Sequence, residues 1–197
     1  MNISILIYNL FHNRFSIQML KLEIAASKKK TKLKDCTIVN AGKSNTISLG
    51  EKGILNGIRF FLLGDNNHIA IGDNALCRGS YQQPICINAG YGTSITIGDD
   101  VLIANNTEFH TTDYHGIIDT QTGEVLNPSN SIVIGNRCWI GLRAVVLKGT
   151  NLPDDTVVGA CSVVNKEFPN SGTIIAGNPG REVRTGIKVG DLTNNKQ

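Results

Sequence analysis

Four histidines are the residues of this 197-residue chain best suited to move a proton near neutral pH, because an unperturbed imidazole has a pKa of about 6.5. His12 lies in an amphipathic N-terminal stretch, and His68 follows Asn66 and Asn67 at a corner. His110 follows Phe109, an expected core residue, so strand alternation points it outward. His115 stands in the segment TTDYHG, two residues after Asp113. Imidazole can take the proton of an attacking hydroxyl, a poor nucleophile until a base removes it, but a loop histidine taken alone reads as a surface residue. Asp113 can orient that imidazole, hold an acceptor hydroxyl, or form a simple Asx-turn. Trp139 is the only tryptophan, and a large aromatic beside many small residues suggests either a ligand surface or packing between subunits. The five cysteines (Cys36, Cys77, Cys86, Cys138, Cys161) lack CxxC spacing. Their odd number reads as free thiols in a reducing compartment. Cys77 falls on a core position, and Cys138 reads as structural although it adjoins Trp139.

The elements that must position these groups come from a repeat. Ile134, Ile140, Val146, Leu152, Val158 and Val164 follow one another at steps of six. Gly135, Gly141 and Gly159 come directly after three of them, and Ala144, Thr150, Thr156 and Ser162 stand four residues after an aliphatic. The step recurs as Ile97–Ile103–Phe109 and Leu49–Leu55–Phe61, with Gly50, Gly72 and Gly98 in the same relation. A helix needs apolar steps of three and four, and a half-buried strand needs strict alternation. Steps of six fit short strands joined by tight corners, where Gly, Asn and Asp tolerate positive φ. Three such units close one coil of a triangular prism, and coils stack as parallel strands about 4.8 Å apart. Small residues are needed because a narrow interior has no room for two large side chains per face.

Residues 36–187 form this β-helical domain. Residues 111–131 contain no hexad and read as a long loop thrown out from the prism, a length that is usually functional. Residues 1–35 read as an amphipathic helix, with Ile3, Leu6, Ile7, Leu10, Ile17, Leu20 and Ile24 at helical spacing, followed by a basic linker from Lys28 to Lys34. Asn9, His12, Asn13, Arg14 and Lys21 make it too polar to span a membrane, and it lacks the pattern of a signal peptide. The expectation is a helix that caps the prism or packs between subunits; contact of residues 1–34 with an anionic membrane surface is the alternative. Residues 188–197 are a tail. A net charge of +3 gives no reason to expect a nucleic-acid partner.

The hexads, the TTDYH loop, the block IVIGNRCWIG at 132–141 and the tail GACSVVNKEFP…AGNPGREVR together resemble the hexapeptide-repeat acyltransferases. The nearest branch is that of the sugar O-acetyltransferases, with maltose-, galactoside-, capsule- and O-antigen-modifying members. The resemblance covers roughly residues 45–187. It implies a left-handed parallel β-helix, a winding that periodicity cannot supply and that departs from the usual right-handed crossover. It further implies a homotrimer with acetyl-CoA bound between neighbouring prisms; the free thiols read as cytoplasmic, and the membrane alternative for residues 1–34 would set it at the inner membrane face. The activity implied is direct acetyl transfer from acetyl-CoA to a hydroxyl of a sugar or bacterial surface polysaccharide. His115 matches the family's general base in the T-[ST]-D-x-H pattern, and Trp139 matches a residue lining the acetyl-CoA and acceptor site. Gly141, Leu142 and Ala160 match backbone that meets the pantetheine arm, while Lys166, Arg181 and Arg184 match the basic positions for its phosphates. Gly180 departs from the family's commoner AGNPA[KR] tail.

Two other classes share the prism. A γ-type carbonic anhydrase would bind a divalent metal through three histidines, here His68, His110 and His115; the spacing of His68 and the long insertion after His115 argue against it. A non-catalytic ice-binding prism would carry Thr or Ser arrays coil after coil, whereas Thr is scattered along this chain and a long loop and basic tail would have no use.

Overall fold

Each hexad becomes a short strand and a corner. The computed structural model of the chain describes residues 23–26 and 31–190. The first sheet stacks β1 (Glu23–Ala26), β4 (Thr46–Leu49), β7 (His68–Ile71), β10 (Ser94–Ile97), β13 (Ile132–Ile134) and β16 (Asn151–Leu152). The second stacks β2 (Lys32–Lys34), β5 (Ile54–Asn56), β8 (Leu76–Arg78), β11 (Leu102–Ile103), β14 (Trp139–Ile140), β17 (Val157–Val158), β19 (Thr173–Ala176) and β20 (Arg181–Thr185). The third stacks β3 (Thr37–Ala41), β6 (Ile58–Leu63), β9 (Ile85–Gly90), β12 (Glu108–His110), β15 (Val145–Leu147) and β18 (Val163–Val164). From β1 to β18 the chain visits the sheets in strict rotation. Every pairing is parallel except that of β20, which turns back antiparallel on β19 and closes that edge.

The core is a set of in-register columns. Ile47, Ile69, Ile95 and Ile132 stack in the first sheet; Leu55, Cys77, Ile103, Ile140, Val158 and Ile175 in the second; Phe60, Ile87, Phe109, Val146 and Val164 in the third. All are buried. Each large aliphatic contributes about 1.5–3 kcal/mol on burial, and only where a neighbouring coil covers it. The small residues Ala144, Thr150, Thr156 and Ser162 are buried beside them as expected. The hydroxyls of Thr150 and Thr156 each donate to a carbonyl three residues back at 2.7 Å, so neither of the two is an orphaned donor.

The structure changes four expectations. Phe60 faces the core and Phe61 faces outward, because the corner at Asn56–Gly57 is one residue shorter than a hexad allows. The helix expected over residues 1 to about 26 lies mostly outside the described residues, but its last part, Glu23–Ala26, is a strand. The prism also starts before residue 36, since β1, in the expected helix, pairs with β4 and β2, in the expected linker, pairs with β5. Finally, the glycines after the core aliphatics do not supply positive φ. That conformation falls three residues beyond the aliphatic, on Asn74, Asp100, Arg137 and Asp155. The glycines are needed for space: a Cβ at Gly98 would lie 2.8 Å from the Gly135 carbonyl carbon of the next coil. A ladder seals that corner, with Asp73, Asp99, Asn136 and Asp154 each accepting a backbone N–H from the preceding coil at 2.6–2.9 Å.

Between stacked positions Val146 and Leu152 the chain uses six residues, but between Phe109 and Ile134 it uses 25. The difference is the long loop, which leaves the edge between the third and first sheets. It is no structureless excursion: Ile118 bridges Val125 antiparallel, and Asp119 caps the turn through the N–H groups of Gln121 and Thr122. Among the described residues no helix is long and apolar enough to cross a membrane.

Candidate active site

At the root of the loop, Thr111 and Thr112 are buried while Asp113, Tyr114 and His115 are exposed. Tyr114 takes φ 62°, a strained value for a bulky residue, and its N–H donates to Thr112 Oγ1 at 3.1 Å. This kink turns His115 into a shallow pocket of about 200 Å³ with Tyr91, Tyr114, Asn127, Pro128 and Ser129 in its walls. Asn127, on the returning limb of the loop, spans the pocket. Its Nδ2 donates to the His115 carbonyl at 3.0 Å and to Asp113 Oδ2 at 2.7 Å, and its Oδ1 accepts the Ile117 N–H at 2.6 Å.

Asp113 is not a partner of the imidazole. Its Oδ2 also accepts a hydrogen bond from Lys148 Nζ. That bond is the main reason its carboxyl is held below the usual range, with the Asn127 bond adding to it and burial opposing. Lys148 Nζ donates as well to the Asn127 carbonyl at 2.7 Å. Neither Asn127 nor Lys148 was singled out by sequence reasoning. Lys148 follows β15 in the next coil, and no local signal marks it as a neighbour of Asp113, 35 residues earlier.

His110 is built into the third sheet. Its Nδ1 lies 3.4 Å from Asn88 Nδ2 and its Nε2 2.9 Å from Glu108 Oε2. The amide must donate, so the ring proton sits on Nε2 and goes to the carboxylate. His68 lies on the first sheet with Nδ1 2.7 Å from Thr46 Oγ1. His68, His110 and His115 thus occupy separate places, and no group of three metal-ligating side chains converges among the described residues. Cys138 is buried, donates to the Pro153 carbonyl at 3.2 Å, and has its thiol pushed up to about 11 by burial. It is a core residue.

The other expected site residues fall into two groups. Lys166 lies at the same prism edge as the loop, between β18 and β16, with Nζ 5.1 Å from the Phe168 ring centre. Trp139, Gly141, Leu142, Ala160, Arg181 and Arg184 lie elsewhere, on the second sheet and the corner that follows it. Trp139 is 45% exposed on the outer face, in one row with Leu102, Val157, Ile174 and Arg184. A bulge in β20 pairs Arg184 with Ile174 and Arg181 with Ala176, so both arginines share that outer face. Strict alternation would have set them on opposite faces. Gly141 has its N–H on the Val158 carbonyl at 2.8 Å and its carbonyl accepting from Ala144. Its role is close approach, since a Cβ there would meet Ala160 N at 2.7 Å. The Leu142 and Ala160 N–H groups have no partner among the described residues.

No family model matches the chain. The chain is 30% identical over 130 residues to a protein of Escherichia coli K12 provisionally named colanic acid biosynthesis acetyltransferase WcaF. That match covers 60% of this chain and 70% of the relative. The chain belongs to the hexapeptide-repeat acyltransferases, in their sugar and polysaccharide O-acetyltransferase branch. Galactoside O-acetyltransferase of Escherichia coli K12 is 38% identical over 94 residues, 46% of this chain and 44% of that protein, so the chain spans less than half of that relative. Among solved structures, the polysialic acid O-acetyltransferase OatWY is 25% identical with a TM-score of 0.69, covering 93% of this chain and 94% of the other. This hexapeptide-repeat acyltransferase is a left-handed parallel β-helix, the winding that the family resemblance implied.

Proposed function

We propose that the chain is an acetyl-CoA-dependent O-acetyltransferase that acetylates a hydroxyl of a sugar or bacterial surface polysaccharide, working as a homotrimer. The observation that carries this reading is the division of the site residues between two edges of one prism. His115 and Lys166 occupy one edge, while Trp139, Leu142, Ala160, Arg181 and Arg184 occupy the second sheet and its corner. A single site needs both sets, and a closed ring of three prisms supplies them from neighbours. The exposed apolar side chains of the loop, Ile117, Ile118, Val125 and Leu126, suit such a contact.

In this reading His115 takes the proton of the acceptor hydroxyl as its oxygen attacks the thioester carbonyl. The unpaired N–H of Leu142 or Ala160 meets the oxyanion of the tetrahedral intermediate. The C–S bond then breaks, the coenzyme A thiolate leaves, and the imidazolium returns the proton to it. No acyl-enzyme is required, and Cys138 is too buried to form one. The pantetheine arm lies along the Trp139 row, and Arg181 and Arg184 meet the phosphates. Lys166 contributes from the neighbouring subunit. The free thiols agree with a cytoplasmic setting. Lys32 and Lys34 are exposed at the first coils, where they suit an anionic membrane face and also guard an edge strand.

The test is release of free thiol from acetyl-CoA in the presence of a panel of bacterial glycans, comparing the wild type with His115→Ala. Transfer by the wild type and a loss of roughly 100-fold or more in the variant are expected. Full activity in the variant would remove His115 from the reaction.

A further inference from the structure

We infer that Lys148, Asp113 and Asn127 form a clamp that positions the His115 imidazole by fixing its backbone, a proposal that rests on the transfer reaction above. A catalytic imidazole is commonly oriented by a hydrogen bond to its second ring nitrogen. Here neither ring nitrogen of His115 has a partner among the described residues; its carbonyl has one, Asn127 Nδ2 at 3.0 Å. The positioning that this chain itself supplies therefore runs through the main chain.

The main chain is held on both sides of His115. Before it, the Tyr114 N–H is tied to Thr112 Oγ1. After it, the His115 carbonyl and the Ile117 N–H both engage the Asn127 amide. The Asn127 side chain is itself fixed by Asp113 Oδ2 and its carbonyl by Lys148 Nζ. Lys148 matters most because it is not part of the loop. It directly follows β15, which is paired on both sides by β12 and β18, so it ties an exposed loop to a rigid stack. The Lys148–Asp113 contact joins opposite charges, and its side chains are 20% and 45% exposed. Charge-assisted hydrogen bonds of this kind hold direction as well as distance.

Misplacing a reacting group by about 1 Å can cost on the order of 100-fold in rate. Lys148→Met and Asn127→Ala should therefore lower kcat roughly 10- to 100-fold while leaving KM for acetyl-CoA within about 2-fold, because the clamp touches none of the residues assigned to coenzyme A, Trp139, Leu142, Ala160, Lys166, Arg181 and Arg184. Lys148→Arg, which keeps the charge and donors, should recover most of the rate. Hydrogen exchange at the Tyr114 to Ile117 amides, read by mass spectrometry beside the melting of the whole chain, reports the clamp without any turnover. Faster exchange there with an unchanged melting transition is expected. Unchanged exchange in both variants, or faster exchange with full kcat, overturns the clamp. Should the wild type transfer no acetyl group at all, the O-acetyltransferase reading fails, and the exchange comparison still decides whether Lys148 and Asn127 hold the His115 backbone.

Discussion

Trp139 and Arg184 stand in one row on the outer face of the second sheet, with only Val157 and Ile174 between them. Three strand spacings separate them, roughly 15 Å. That span suits an extended pantetheine arm with an anionic end. Replacing Arg184 by Ala should weaken coenzyme A binding about 10-fold in calorimetry at low salt, with a smaller difference at high salt. An unchanged affinity would place the phosphates elsewhere.

Subunit mixing tests the shared site directly. His115→Ala and Trp139→Ala chains should each be nearly inactive alone. Co-expressed in equal amounts, they should regain about a quarter of wild-type activity, because a random ring pairs an intact His115 with a neighbour's intact Trp139 at that frequency. No recovery, with mixed trimers confirmed by native mass spectrometry, would mean that each chain works alone.

Gly98 tests the packing argument. A Cβ at this position would approach Asn136 Oδ1 to 2.6 Å and the Gly135 carbonyl to 2.8 Å. Gly98→Ala should destabilise by about 1–3 kcal/mol through overpacking, although φ there is ordinary. Urea unfolding measures it, and a neutral result would show that coils can separate locally at little cost.

The Asp113–Lys148 contact predicts a pH dependence of loop order. Asp113 titrates below its usual value because Lys148 favours its charged form. A group whose folded pKa is depressed gives stability that is fully present above the unfolded value and is lost as pH falls through the lower folded one. Loop protection at Ile117 should therefore hold down to about pH 4 and fail below it. Lys148→Met should move the failure upward. Protection that instead fades near neutral pH would take Asp113 out of the clamp.

The prism was legible because a stacked coil leaves the same demand every six residues. Ile97, Ile103, Phe109, Ile134 and Ile140 are aliphatic or aromatic wherever a coil faces inward, and all five are buried. Phe61 misled because a single shortened corner shifts alternation by one, and corner length leaves no trace in hydrophobicity. The N-terminal pattern misled over Glu23–Ala26 because four residues satisfy a helical or a strand period equally until a partner such as β4 is present.

For the candidate site, the amino-acid sequence by itself determined the histidine, the long loop around it, and through family likeness the residues expected to meet acetyl-CoA. Tertiary structure decided what each one faces. Asp113 stands two residues from His115, yet its carboxylate is taken by Lys148, 35 positions away. Arg181 and Arg184 share a face only because β20 bulges. His115 and Trp139 are 24 positions apart, yet His115 stands in the loop between the third and first sheets while Trp139 lies on the second sheet. The reason is geometric. Stacking brings together residues a whole coil apart, and the loop changes the length of one coil, so neighbours across coils cannot be read from local spacing.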